Sequence, residues 1–419
     1  MKYFRINIYL KLKIYFFSFF LFKSKLEKEI AKLIQKNSNK KKFILTSQLR
    51  VGFLLLLKYL QFKYPEKNEI IFAPYNLPEM INIAKNLKYK TVFSDLNYTN
   101  GFYNFKHLKK NLKKKTLAIV LTNMFNNYED TIKIKKFCKK NKIILIEDNA
   151  ISFDNFKLKN SKRKYTGEFG NYTLYSFNIM KNISALYGGG VSTNDFEFIK
   201  FCSLETSKYS SFPIILFFKQ NLIYLLLKII SVNLVYKNFF FTIVKYAHIK
   251  NKLFLLKLFY PSLKFKINKT PKYYFTNITH FSKKLIYFQL KNKNYRYEIH
   301  QKRKLNNFLY YDQFKKIKIK QIKLIPIEDF NFQNFIDFPI MAKDKLKLNK
   351  FLLNKGIELR SIYYRNCSNL FKIKSFRTPI AERYEKEILC LPNHRKIQKE
   401  YIIFIVNCIR EFYRGYKNV

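Results

Sequence analysis

The chain has 419 residues, enough for one large or two moderate domains, and 48% of them are apolar, which excludes a disordered polypeptide. Its 81 Lys and Arg against 27 Asp and Glu give a formal charge of +54, so an acidic partner-seeking surface is excluded and an anionic partner (nucleic acid or a membrane) has to be weighed. Five widely spaced cysteines, Cys138, Cys202, Cys367, Cys390 and Cys408, form no CxxC or CxxxC pair, which argues against a zinc site or a disulfide framework and for a reducing cytoplasm.

The charge has a competing explanation. Lys, Asn, Ile, Phe and Tyr abound together while Trp is absent and only 9 Gly and 10 Pro occur, a bias that A/T-rich codons produce without selection for binding. The lysines are spread along the whole chain, and no helix-turn-helix, zinc-finger or RNA-binding signature accompanies them. A basic nucleic-acid-binding protein therefore rests on charge alone.

In chain order, residues 1–41 form a basic and apolar extension expected to be helical. Its run "IYFFSFFLF" (14–22) follows Lys2, Arg5, Lys11 and Lys13 like a signal-peptide core, but Lys23, Lys25 and Lys28 come next and no small-residue cleavage site appears. The run is also too short to span a bilayer. It reads as an amphipathic helix packed on the body or lying on a membrane surface.

Residues 42–204 alternate in pattern. "EIIFAPY" (69–75), "KTVFSDL" (90–96), "LAIVLTN" (117–123) and "KIILIEDNA" (142–150) read as buried strands, with helices over 78–87, 105–112 and 131–141 between them. That alternation predicts an α/β fold, a mainly parallel sheet flanked by helices. Ligands bind beyond the carboxyl ends of such strands, which directs attention to Tyr75, Asp95, Asn123, Glu147 and Asp148. Residues 205–265 are strongly apolar with recurrent lysines (Lys219, Lys228, Lys237, Lys245) and predict one or two helices, buried against the body or touching a membrane surface. Residues 266–419 predict a smaller α+β domain: a long helical stretch from about 280, a strand near 335–344, a helix over 347–356 and a last helix over 401–413.

Three features of 144–190 converge. "ILIEDNA" places two carboxylates where a buried strand stops; Asp148 there either points into a ligand cleft or caps a helix. "LYSFNIMK" (174–181) offers the Ser176 hydroxyl to an anion, with Lys181 five residues on. "GGG" (188–190) then permits a close backbone approach. A lone lysine in this chain would be unremarkable; the order is what a pyridoxal phosphate site needs, namely an amine to hold the cofactor, an acid for its ring nitrogen and donors for its phosphate.

These motifs, with "TSQLRVGFLLLLKYL" (46–60) upstream and "FQL" (288–290), "DFPIMAKD", "NKGIE" and "ILCLPNHRKI" (388–397) downstream, resemble the DegT/DnrJ/StrS family of pyridoxal-phosphate-dependent sugar aminotransferases over about residues 42–413. The resemblance implies the fold type I (aspartate aminotransferase) architecture, pyridoxal 5'-phosphate as cofactor and no metal. It implies Lys181 as the Schiff-base lysine, Asp148 as the ring-nitrogen partner, Ser176 as a phosphate ligand, and Ser47 with Arg50 in the phosphate-binding turn. It further implies a cytoplasmic homodimer that moves an amino group, plausibly from glutamate, to a nucleotide-linked keto-sugar for surface polysaccharide. Asn277 stands where a residue donated across the dimer is sought. Two positions depart from the pattern: Ile151 replaces the usual His or Gln, and "SQLR" lacks the phosphate-motif glycine. They motivate a second reading, a degenerate member that binds or regulates without catalysis.

Overall fold

The computed structural model describes residues 2–20, 24–36, 38–125, 127–153, 167–259, 270–333, 335–373 and 376–415. The predicted strands form around a seven-stranded sheet made of β1 (Lys42–Thr46), β2 (Glu69–Phe72), β3 (Lys90–Phe93), β4 (Thr116–Thr122), β5 (Ile144–Asp148), β6 (Tyr172–Ser176) and β7 (Gly189–Thr193). Their order across the sheet is β1-β7-β6-β5-β4-β2-β3. From β6 to β3 the neighbours run parallel, whereas β7 is antiparallel to both β6 and β1. Two reversals cancel, so β1 points the same way as β5 and β6. The carboxyl ends of those three strands therefore meet the start of β7 at one edge of the sheet.

Helices cover both faces, which is why the central strands read as unbroken apolar runs. Successive residues pack into different layers. Ile71, Ile119, Leu121 and Leu145 join one core with Phe125 and Ile134. Ile70, Phe72, Ala118, Val120 and Ile146 join the other, beneath the helix Leu49–Lys63. That helix is buried on nearly every side, so its leucines cannot be polar on any face.

The C-terminal part is built on a three-stranded antiparallel sheet of β8 (Ile322–Leu324), β9 (Phe338–Ala342) and β10 (Ile388–Leu391), in the order β10-β9-β8. Helices Lys345–Asn354, Pro379–Glu387 and Lys399–Gly415 accompany it. The long stretch expected from 280 onward is two helices, His280–Lys291 and Lys293–Ile317, broken where the Asn292 side chain accepts from the Tyr295 N–H and caps the second.

The N-terminal extension departs from expectation. Helices form over Leu12–Phe20 and Leu26–Gln35, but residues 4–10 are extended and buried. "FRINIYL" has apolar side chains at Phe4, Ile6, Ile8 and Leu10, a period of two that suits an extended segment enclosed on both sides. Four partners take its carbonyls: Tyr224 Oη donates to Leu10 at 3.2 Å, Lys228 Nζ to Ile8 at 2.9 Å, Tyr295 Oη to Tyr9 at 3.0 Å and His394 Nε2 to Phe4 at 2.9 Å. Residues 21–22 of the "IYFFSFFLF" run lie outside the described residues.

The apolar segment is helical, as Ile214–Ile230, then Asn233–Val235 passing through one wide turn into Phe241–Ile249, then Leu253–Phe259; residues 260–265 lie outside the described residues. Among the described residues no single helix is long and apolar enough to cross a membrane, and the pair 214–230 and 233–249 is bent by 82°.

Candidate active site

At the edge where β1, β5 and β6 end and β7 begins lies a cavity of about 290 Å³. Its sheet-side wall is Asp148, Ala150, Ile151, Ser176 and Asn178 through Lys181. Gln48, Leu49 and Arg50 bound a second side, and Arg5, Ile336, Arg360 and Tyr364 the third. Asp148 and Ser176 arrive there because each is the last residue of its strand.

The two carboxylates of "IED" part company. Neighbours on a strand face opposite ways, so Asp148 lines the cavity while Glu147 turns into the body. Glu147 is fully buried and accepts from Asn123 Nδ2 (2.8 Å) and from the N–H groups of Gly167 (2.6 Å), Phe169 (3.0 Å) and Gly170 (2.9 Å). It pins the turn that leads into β6. Glu147→Ala strands four buried donors and is expected to cost about 3 kcal/mol or more, read as a shift in the denaturant midpoint.

The other strand-end residues singled out by sequence are structural too. Asp95 accepts from the Ile380 and Ala381 N–H groups at 3.0 Å each, at the start of the helix Pro379–Glu387. Asn123 holds Glu147, and the Tyr75 hydroxyl accepts from the Tyr364 N–H at 3.1 Å. Of the five, Asp148 alone lines the cavity.

Asp148 and Lys181 perturb each other. Burial pushes the Asp148 carboxyl up to about 6, opposed by the Ala150 N–H (3.0 Å) and the Lys181 charge. Burial also pushes the Lys181 amine down to about 8; Asp148 resists, while Arg360 and Arg50 add to the depression. An amine depressed to about 8 has a far larger neutral, nucleophilic fraction at neutral pH than a solvated lysine.

The triple glycine is explained by the turn it faces. A Cβ on Gly189 would lie 2.1 Å from the Leu49 nitrogen and 2.3 Å from the Gln48 carbonyl carbon, atoms of the backbone that cannot move aside. Gly189 pairs with Thr46 in β1 and Ser176 in β6, so its bare Cα lets the Ser47–Gln48–Leu49 turn sit over the strand ends. Gly189→Ala is expected to cost about 3 kcal/mol and to weaken anion binding at that turn, checked by thermal unfolding with and without phosphate.

The turn opens the helix Leu49–Lys63, whose first residues have no side-chain cap. The buried Ser47 Oγ and both polar atoms of the Gln48 side chain have no hydrogen-bond partner. Unpartnered buried donors at the N-terminus of a helix suit an anion. Arg50 lines the same wall but spends its Nη1 on Glu79 Oε1 at 3.0 Å and lies against the Tyr274 ring. The residues on the cavity suit pyridoxal 5'-phosphate, with Gln48 and Ser176 for the phosphate, Asp148 for the ring nitrogen and Lys181 for the aldehyde carbon; Ser47 is buried next to Gln48 and is not part of the cavity lining. Ile151 presents an apolar face on the wall between them. Asn277 does not line the cavity within one chain; its Nδ2 donates to the Tyr209 and Thr206 carbonyls at 3.0 and 3.3 Å.

Sequence reasoning missed the third wall. Arg360 pairs with Asp337 Oδ2 at 3.1 Å, and Arg5 with Glu358 Oε1 at 2.9 Å. Glu358 also accepts from the Tyr236 hydroxyl at 2.5 Å, tying the apolar helices to this wall. Arg360 follows "NKGIE" by two residues and could have been weighed with it; Arg5 had no signal beyond the period-two pattern around it. All five cysteines are free and buried, and no cluster among the described residues could hold a metal.

Known proteins share the fold and part of the sequence. Over 132 residues the chain is 26% identical to the UDP-4-amino-4,6-dideoxy-N-acetyl-beta-L-altrosamine transaminase of Helicobacter pylori, and over 130 residues 27% identical to the GDP-perosamine synthase of Escherichia coli O157:H7. Those matches cover 32% and 31% of this chain and span only about a third of each relative, 34% and 35%. Among solved structures, the Helicobacter pylori aminotransferase PseC, involved in pseudoaminic acid biosynthesis, superposes with a TM-score of 0.72 at 18% identity, covering 99% of this chain and 100% of that one. The E. coli GDP-4-keto-6-deoxy-D-mannose-3-dehydratase with bound hydrated PLP gives 0.69 at 19%, covering 96% of each. These structures share the fold. The DegT/DnrJ/EryC1/StrS aminotransferase family model matches residues 21–208 and 277–410, most of the chain, and the chain belongs to that family.

Proposed function

We propose that the protein is a pyridoxal-phosphate-dependent aminotransferase that moves an amino group, from glutamate, to the ketone of a nucleotide-linked sugar destined for surface polysaccharide. It works as a cytoplasmic homodimer. The observation that carries the reading is the pairing of Lys181 and Asp148, one pushed down to about 8 and the other up to about 6, beside the unpartnered donors of the Ser47–Gln48 turn.

When bound, the cofactor supplies an electron sink for the carbon beside the transferred nitrogen. Lys181 Nζ would hold the cofactor by its aldehyde carbon. The same amine, when neutral, would take the proton from the donor's α-carbon and, in the second half-reaction, deliver one to the sugar carbon. The Asp148 carboxylate accepts from the ring nitrogen and keeps it protonated. Gln48, Ser176 and the first N–H groups of the helix Leu49–Lys63 hold the phosphate and so fix the ring against Lys181. Arg5 and Arg360, each paired with a buried carboxylate, place guanidinium groups on the far wall, the donor type that suits the amino donor's carboxylate and the sugar's diphosphate.

A second reading, a member that keeps the fold and has lost the chemistry, is favoured by Ile151 on the cavity wall. One experiment separates them. The purified protein is treated with borohydride and the modified lysine mapped by mass spectrometry. Modification at Lys181 supports the enzyme; an intact fold that takes up no pyridoxal phosphate overturns it.

A further inference from the structure

Outside the cavity, the most unusual surface is made by the helices Leu12–Phe20 and Ile214–Ile230. They meet through one side chain: the Tyr15 ring is 4.5 Å from that of Tyr224, and its hydroxyl donates to Asn221 Oδ1 at 2.7 Å. Ser18, Asn221 and Tyr224 are thus turned inward, while Phe20, Ile215, Phe218 and Leu222 face outward with 78, 79, 62 and 59% of their surfaces exposed. A helix in water does the reverse. Scattered apolar side chains on a surface need no explanation, but two adjoining helices with apolar outer faces do.

Charge says what the covering partner is. From Thr206 to Tyr297 the chain contains no Asp or Glu, but 16 Lys and one Arg. Of the two lysines in the helix Ile214–Ile230, Lys228 turns inward onto the Ile8 carbonyl, so Lys219 alone interrupts the outer face. The family model passes over residues 209–276, so this basic, apolar block lies outside the sequence pattern the family shares.

We propose that this face docks on an anionic lipid bilayer. The helices lie in the interface plane with their outer side chains in the headgroup and acyl boundary, and the surrounding lysines reach lipid phosphates along their apolar stems. Neither helix crosses the bilayer. A second copy of the chain is a poorer occupant, because it would set two basic faces without a single acid from this block against each other.

The chain has no tryptophan, so Phe218→Trp in the full-length protein makes one indole that reports on this face alone. With vesicles of phosphatidylcholine and phosphatidylglycerol at low salt, the protein is expected to float and its emission to shift to the blue; with phosphatidylcholine alone both effects weaken. The triple variant Ile215→Glu, Phe218→Glu, Leu222→Glu is expected to partition at least about tenfold less. Protein that stays at the bottom, or floats without moving the indole emission, overturns the proposal. So does a blue shift that needs only a higher protein concentration, since a second copy then covers the face. If the triple variant misfolds, the tryptophan result decides.

Discussion

Lys181→Ala protein is expected to fold and to retain some affinity for pyridoxal phosphate through the Ser47–Gln48 turn, yet to carry no lysine-bound cofactor absorption and to lose at least about 10⁴-fold in turnover, since nucleophile and proton carrier disappear together. The pH dependence gives a second readout. The reactive form is the neutral amine, so capture of the cofactor by the cofactor-free protein should rise with pH and level off above about 8. A solvated lysine would keep rising toward its ordinary value of 10.5. Stopped-flow absorbance across pH 6 to 10 reads the difference. A profile that still climbs above pH 9 would show that Lys181 is not the capturing amine.

The second large effect is at Asp148. Asp148→Asn keeps the shape and removes the charge that holds the ring nitrogen's proton, and turnover is expected to fall on the order of 10²- to 10³-fold while the cofactor stays attached to Lys181. The sign of the accompanying shift is fixed. Asp148 is the strongest influence that raises the lysine's affinity for its proton against burial. Without it the Lys181 pKa drops below about 8, and the capture profile moves to lower pH. A variant with reduced turnover but an unmoved profile would mean that the two groups do not share a field. In the unmodified protein the carboxylate itself is lost as pH falls through about 6, so turnover should decline on that side as well.

Lys181, Asp148 and Ser176 could be read from the sequence because each sits at or just past the end of a strong apolar strand, within one short span. Local pattern was sufficient there. It was insufficient for Glu147, Asp95, Asn123 and Tyr75, which satisfy the same description but point elsewhere: the parity of a strand and the buried backbone groups nearby decide which polar end is structural. Arg5 was illegible for a different reason: its buried partner Glu358 lies 353 residues away, and no local window contains both. Arg360, two residues past "NKGIE", carried a local signal. The antiparallel placement of β7 was also hidden, since "GGVST" carries no sign of direction; its consequence, three carboxyl ends and one strand start at a single edge, is what gathers the site. The extended segment 4–10 was obscured by its lysine-rich surroundings.

That buried segment has a bearing on how the protein is made. Phe4 is held by His394, and the Tyr3 hydroxyl donates to Gln398 Oε1 at 3.1 Å, so this segment is enclosed by residues translated 390 and 395 positions later. The parallel sheet can assemble while synthesis continues, but Arg5 cannot take its place on the cavity wall until its partner Glu358, 353 residues further on, has left the ribosome. Closing so long a loop is slow relative to local folding. The nascent chain therefore holds Phe4, Ile6, Ile8 and Leu10 exposed until those distant partners emerge, a stretch suited to capture by a chaperone before the cavity can be completed.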